Sequence, residues 1–130
     1  MDIYVDAASA CGWGTEVETN PDSVKSRTGY IIEISNCPVV CVLTLQSTIA
    51  TSTMESDYTA LSMALRADIQ RHTVVSYVTN GLNYHKHKQL AFKATVHEDN
   101  QGALILAKLE PGRHTVRSKF YALRLHWFRS

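Results

Sequence analysis

The feature that most constrains the fold is a change in hydrophobic period near residue 52. Before it, the runs 3–6, 29–34 and 39–45 are rich in β-branched residues and are joined by short connections or turn-forming residues. This pattern predicts three strands in an antiparallel meander. After it, apolar side chains recur at spacings of four, three, four and four, which is one stripe of a helix. The stripe consists of Met54, Tyr58, Leu61, Leu65 and Ile69.

Local signals set the bounds of this helix and of the elements that follow. Ser52, three residues before Glu55, matches a capping box, so the helix is predicted to begin near Thr53 and to run to about Val78. A short fourth strand is predicted at 94–97, followed by helices at 101–109 and 118–129. A helical crossover returns the next strand parallel to an earlier one, so the sheet should be mixed and the fold class α/β.

Length and composition indicate one intracellular domain. The 130 residues suit a single domain spanning 1–130. No apolar run is long enough to cross a bilayer, and the N-terminus has no signal-peptide pattern, so we expect no membrane partner. Three cysteines, an odd number, favour reduced thiols over a disulfide scaffold.

The net charge of +1 hides an asymmetry along the chain. Residues 1–65 carry eight acids and two bases, whereas residues 66–130 carry eleven bases and four acids. Such a split points weakly to a polyanionic partner, and two solvated faces that meet in the fold explain it equally well.

Three acids lie where predicted elements begin or end. Asp6 ends the first strand, Glu55 lies in the first turn of the long helix, and Asp99 follows the fourth strand. If the first and fourth strands are parallel neighbours, Asp6 and Asp99 meet at one sheet edge, and the helix can bring Glu55 there. Crowded carboxylates need cations, and Mg²⁺ prefers oxygen ligands. The alternatives are a polar strand end for Asp6, a capping box for Glu55 and a helix cap for Asp99.

Five segments around these acids resemble the ribonuclease H domain of copia-type retrotransposon polyproteins. They are similar to its opening Asp strand, its Ser/Thr-Gly-Tyr strand, its Ser-Thr-Glu-Ala-Glu-Tyr helix start, its Asp-Asn-Gln-Ser-Ala step and its late helix after Arg-Thr-Lys. The matching segments are 4–7, 25–30, 52–62, 98–103 and 117–129.

The resemblance implies a ribonuclease H-like mixed sheet with flanking helices and hydrolysis of the RNA strand of RNA–DNA hybrids. It implies that Asp6, Glu55 and Asp99 are the catalytic residues and the ligands of two Mg²⁺ ions, with Mn²⁺ as a possible substitute. The order Asp, Glu, Asp along the chain separates this activity from that of retroviral-type integrases, whose order is Asp, Asp, Glu. The implied partners are the reverse transcriptase and integrase regions of the same polyprotein, in the cytoplasm or a virus-like particle.

Four residues are candidate nucleic-acid contacts. The side-chain amide of Asn100 could contact a sugar 2′-OH, and Arg113, Arg117 and Lys119 could contact the phosphate backbone. A solvated basic face is the alternative for the three basic residues.

The chain also departs from the family pattern. Its sequence stops before the family's last strand and last helix, which carries a fourth acid, so we expect a C-terminally truncated domain with weak or absent activity. The third strand is more apolar than the family's Lys/Ser-rich segment, and we expect the exposed sheet to favour aggregation. A catalytically inactive relic that at most binds nucleic acid, or an unrelated α/β interaction module, is the alternative.

Overall fold

The computed structural model describes residues 1–10, 12–14, 20–81, 93–109 and 113. The helix predicted at 118–129 lies outside these residues, as do Arg117 and Lys119. The described elements, in chain order, are β1 (Asp2–Ala8), β2 (Arg27–Ile34), β3 (Cys37–Leu45), α1 (Thr53–Gly81), β4 (Thr95–His97) and α2 (Gln101–Lys108).

The four described strands form one mixed sheet in the order β3-β2-β1-β4. β1 is antiparallel to β2, β2 is antiparallel to β3, and β4 is parallel to β1. The predicted α/β class, the meander and the parallel fourth strand are therefore confirmed. The parallel pairing follows from α1, which carries the chain from the end of β3 back across the sheet.

A two-residue turn sets the register between β2 and β3. Ser35 and Asn36 have φ angles of 53° and 62°, and two successive left-handed residues match the twist of a tight hairpin. Asn adopts this region more readily than most residues. The turn aligns Ile34 with Cys37, and a register shift of one residue between Ile32 and Glu33 then places Ile31 opposite Cys41.

Alternation along the strands gives the sheet a covered face and an open face. Ile3, Val5 and Ile32 are buried beneath α1, where they form one core with Tyr58 and Leu61. Full burial of such a side chain contributes about 1.5–3 kcal/mol. The residues between them on the other face are exposed, including Tyr4, Ile31 and Leu43.

Gln46 fixes the start of α1 against the sheet. Its buried Nε2 donates hydrogen bonds to Thr28 Oγ1 at 3.0 Å and to the Ser56 carbonyl at 2.9 Å. α1 begins at Thr53, as its capping pattern predicts, and ends at Gly81, three residues beyond the predicted Val78. No helix in the described part of the chain is long and apolar enough to span a membrane.

Candidate active site at the edge between β1 and β4

Parallel pairing of β1 and β4 brings two of the predicted acids together. Tyr4 is aligned with His97 across the two strands, and Asp6 and Asp99 each lie two residues further along. Both carboxylates are exposed and line one groove of about 570 Å³. The groove is lined by Tyr4, Val5, Asp6, Val96, His97, Glu98 and Asp99.

Asp57, in the second turn of α1, is the third carboxylate near this pair. Its side chain is buried, with 6% of its surface exposed. Burial raises its pKa above the usual value, and the negative charges of Asp6 and Asp99 raise the pKa further. Hydrogen bonds from Asn100 and from the backbone of Ala7 lower it in part. These interactions connect α1 with both strand ends.

Glu55, the acid predicted from the sequence, makes local contacts at the start of α1. Its Oε2 accepts hydrogen bonds from the Thr51 amide at 2.7 Å and the Thr51 hydroxyl at 2.8 Å. Its own amide donates to Ser52 Oγ at 3.2 Å. These are the contacts of the capping alternative, shifted by one residue because the side chain reaches Thr51 rather than Ser52. The acid on α1 whose charge acts on Asp6 and Asp99 is Asp57.

A signal for Asp57 was present in the sequence. Asp57 lies three residues before Ala60, four before Leu61 and seven before Ala64, so it falls on the row of small and apolar residues that the helix buries. An acid on a core-facing stripe is unusual and marks a buried carboxyl. Glu55 lies two residues away, about 200° around the helix axis, and so points away from that stripe.

Asn100 joins the site to α2. Its Nδ2 donates to Asp57 Oδ2 at 2.7 Å, and its Oδ1 accepts from the Ala103 amide at 3.2 Å. Asn100 is the N-cap of α2, so the cap predicted as an alternative for Asp99 belongs to its neighbour. Each end of the Asn100 amide makes one hydrogen bond within the protein, and Nδ2 has a second hydrogen. The contact of Asn100 with a sugar hydroxyl stays a prediction.

Glu98 is a second buried acid that the sequence did not reveal. Burial raises its pKa to about 7, and the charges of Asp57 and Asp99 add to the rise, while a hydrogen bond from the Asn100 amide opposes it. That amide donates to Oε1 at 3.1 Å. The other oxygen, Oε2, is buried without a hydrogen-bond partner, and Glu98 lines the groove beside Asp99.

Aromatic and polar side chains lie next to the acids on the open sheet face. The rings of Tyr4 and His97 are stacked, with centroids 4.5 Å apart and planes at 11°. His97 Nε2 lies 3.1 Å from Asp2 Oδ1. His97 is therefore a sheet-face residue held by contacts with the neighbouring strand β1.

The predicted basic contacts are described only in part. Arg113 is exposed, and Arg117 and Lys119 lie outside the described residues. The relation of these three side chains to the groove therefore stays a prediction.

The acids of the groove offer oxygen atoms only, the donor type that Mg²⁺ and Mn²⁺ prefer. Glu98 Oε2 is buried without a hydrogen-bond donor, and a cation in the groove would satisfy it once Glu98 is ionised. A side-chain hydrogen bond with Asp99 favours the protonated form of Glu98 and competes with such a cation. Among the described residues, however, no three His, Cys, Asp or Glu side chains are grouped so that they could hold a metal ion as they stand. The donor chemistry fits, and the exposed Asp6 and Asp99 side chains have to reorient to bind.

Searches of protein-family profiles, of curated protein sequences and of solved structures found no significant match to this chain.

Proposed function

We propose that this chain is a ribonuclease H-type endonuclease domain that hydrolyses the RNA strand of RNA–DNA hybrids with divalent cations. The observation that carries the proposal is the coupling of three acids from separate elements. Asp6 of β1 and Asp99 after β4 line one groove, and both act on the charge of Asp57 in α1. The proposal keeps the predicted pair of strand acids and assigns the helical role to Asp57 in place of Glu55.

Mg²⁺ would be held by the exposed carboxylates of Asp6 and Asp99, with Asp57 behind them. The chemistry that bound Mg²⁺ ions supply at such a site is a lowered pKa for a water molecule and neutralisation of charge on the departing oxygen. Asp57 adds a third carboxyl group close enough to interact with the charges of Asp6 and Asp99, and its hydrogen bonds from Asn100 and Ala7 hold it in place. Repulsion among the three acids is relieved when a cation enters, so cation binding favours their ionised forms.

The substrate class follows from the same resemblance and from the charge distribution. The phosphodiester to be cleaved would approach the exposed acids through the cations, and the phosphate backbone would be held by basic residues of the C-terminal half. Arg113, Arg117 and Lys119 stay the proposed contacts. The proposed setting is reverse transcription, beside the reverse transcriptase and integrase regions of a retrotransposon polyprotein, in the cytoplasm or a virus-like particle.

A cleavage assay with enzyme in excess tests the proposal. An RNA–DNA hybrid labelled on the RNA strand is incubated with Mg²⁺ or Mn²⁺, beside a DNA duplex of the same sequence. We expect slow cleavage of the hybrid RNA alone, dependent on the cation and lost in Asp6→Asn and Asp99→Asn. Asp22→Asn, an exposed acid outside the groove, is the matched control and should keep the wild-type rate.

The alternative function is a catalytically inactive relic that at most binds nucleic acid. The observation that favours it is the lack, within the described residues, of a group of side chains already arranged for a metal ion. In that case the hybrid binds in a salt-dependent way, and Mn²⁺ produces no cleavage above the level of the Asp6→Asn variant. This outcome would contradict the nuclease proposal.

A further inference from the structure

β3 forms one end of the described sheet and leaves a long free edge. The strand has nine residues, Cys37–Leu45, and every second residue from Cys41 onward is exposed. The exposed fraction of Leu43 is 71%. The chain after Glu33 has no charged residue until Glu55. Edge strands of natural proteins usually carry charges, prolines or bulges that prevent pairing with another chain.

The hydrogen-bond pattern shows which backbone groups of β3 are free to pair. The Gln46 amide donates to the Ser26 carbonyl at 2.8 Å, one step beyond the aligned pair Arg27 and Leu45. In an antiparallel ladder, hydrogen-bonded and non-hydrogen-bonded pairs alternate. The backbone groups of Thr44 and Val42 therefore point toward β2. The backbone groups of Cys41, Leu43 and Leu45 therefore point away from β2, in the plane of the sheet, toward its edge.

Only the first part of the strand is protected. Pro38 lacks an amide hydrogen, and the register shifts between Ile32 and Glu33, opposite Pro38. Pro38 and the register shift both interrupt strand pairing near the turn at residues 35 and 36. From Val40 onward β3 continues regularly to Leu45 with neither proline nor charge, so this part is an open pairing surface.

We propose that β3 of one copy pairs antiparallel with β3 of a second copy, which joins two sheets into one in a two-fold dimer. A second copy fits this edge because the strand is self-complementary. It offers the same outward backbone groups to its two-fold mate, and it brings no charge against itself.

The symmetry also closes the assembly. Each copy uses its β3 edge once, and the opposite end of the described sheet is β4, which has three residues. An isologous contact of this kind gives a dimer rather than a growing fibre. Strand pairing alone buries a small interface, at or below the roughly 1,200 Å² lower limit of stable complexes, so we expect association at micromolar concentrations.

This inference is independent of the proposed nuclease function. The groove of Asp6 and Asp99 lies between β1 and β4, and β2 separates β3 from β1. A variant at the β3 edge can therefore lose self-association and keep any cleavage activity, and the reverse holds for variants in the groove.

Sedimentation equilibrium across a micromolar concentration series tests the proposal. We expect a monomer–dimer equilibrium for the wild-type chain. Leu43→Lys should weaken it about tenfold or more, because a lysine at the pairing edge opposes association. Ile105→Lys is the matched control, since Ile105 is an exposed apolar residue of α2, at 62% exposure. A wild-type chain that stays monomeric, or equal effects of the two lysines, would overturn the proposal.

Cross-linking at Cys41 provides a second measurement that does not depend on a charged substitution. Cys37 and Cys41 are both free and exposed, and Cys41 is the middle residue of β3. With the other two cysteines replaced by serine, a bis-maleimide long enough to span the offset between the two copies of Cys41 should link two chains, since Cys41 lies toward one end of the regular segment from Val40 to Leu45. No dimer at micromolar concentrations, or an equal yield of dimer when Leu43→Lys is added, would contradict β3 pairing.

Discussion

Asn100 Nδ2 donates a 2.7 Å hydrogen bond to Asp57 Oδ2 and so joins the start of α2 to the second turn of α1. The same amide caps α2 through Oδ1. The Asn100 side chain therefore fixes the position of the buried Asp57 carboxyl group relative to Asp99, the residue that precedes Asn100 in the chain. Four predictions follow from the arrangement of these and nearby residues.

The first prediction separates the two acids of α1. Asp57→Asn should reduce hybrid cleavage about 100-fold or more, because it removes the third carboxyl group that interacts with Asp6 and Asp99. Glu55→Gln should leave the rate within about twofold and lower the free energy of unfolding by about 0.5 kcal/mol, through the lost charge at the helix N-terminus. Single-turnover rates and urea unfolding measure the two effects. A large rate loss in Glu55→Gln with an active Asp57→Asn would restore Glu55 as the third acid.

The second prediction concerns the two roles of Asn100. Asn100→Ala should lower the free energy of unfolding by about 2 kcal/mol, because it removes the cap of α2 and a hydrogen bond to a buried carboxyl. Asn100→Ser retains a capping oxygen and should recover about 1 kcal/mol of that loss. Urea unfolding compares both with Gln101→Ala, a change at an exposed neighbour. Equal stabilities for the alanine and serine variants would argue against the capping role.

The third prediction is a pH dependence that arises from Glu98. Its pKa is about 7 in the folded chain against an ordinary value of 4.5, so the folded state binds more protons between these values. The free energy of unfolding should therefore fall as pH rises from about 4.5 to 7, by at most about 3.5 kcal/mol at 1.4 kcal/mol per pKa unit. Below this window the contribution is fully present.

Glu98→Gln tests this assignment, because an amide does not titrate. Urea unfolding measured at several pH values should give a flatter profile for Glu98→Gln than for the wild type. Glu33→Gln, a change at an acid of β2 outside the groove, is the matched control. A wild-type slope in the Glu98→Gln variant would assign the pH dependence to other groups.

The fourth prediction concerns the link between β3 and α1. Gln46→Ala removes the buried hydrogen bonds to Thr28 and Ser56 and leaves the Ser56 carbonyl without this donor. The expected loss is about 2–3 kcal/mol in the free energy of unfolding. Ser47→Ala, at the next and exposed position, should change it by less than about 0.5 kcal/mol. Denaturant unfolding decides between this prediction and a purely space-filling role for Gln46, which would make Gln46→Met nearly neutral.

The sequence by itself determined the elements and their order, because strand alternation, helical period and capping are local properties. Runs predicted at 3–6, 29–34 and 39–45 correspond to Asp2–Ala8, Arg27–Ile34 and Cys37–Leu45. The start of α1 at Thr53 follows from the capping pattern of Ser52 and Glu55, in which the Glu55 amide donates a hydrogen bond to Ser52 Oγ. The parallel fourth strand followed from the length of the crossover between β3 and β4.

Only the tertiary structure decided which acids face one another. Glu55 and Asp57 are two residues apart, and the capping box and the family resemblance both directed the prediction to Glu55. The packing of α1 on the sheet buries Asp57 and leaves the Glu55 carboxylate to Thr51. Burial likewise sets the raised pKa of Glu98, because the loss of solvation depends on neighbours that are distant in the chain, and no local pattern of residues encodes it.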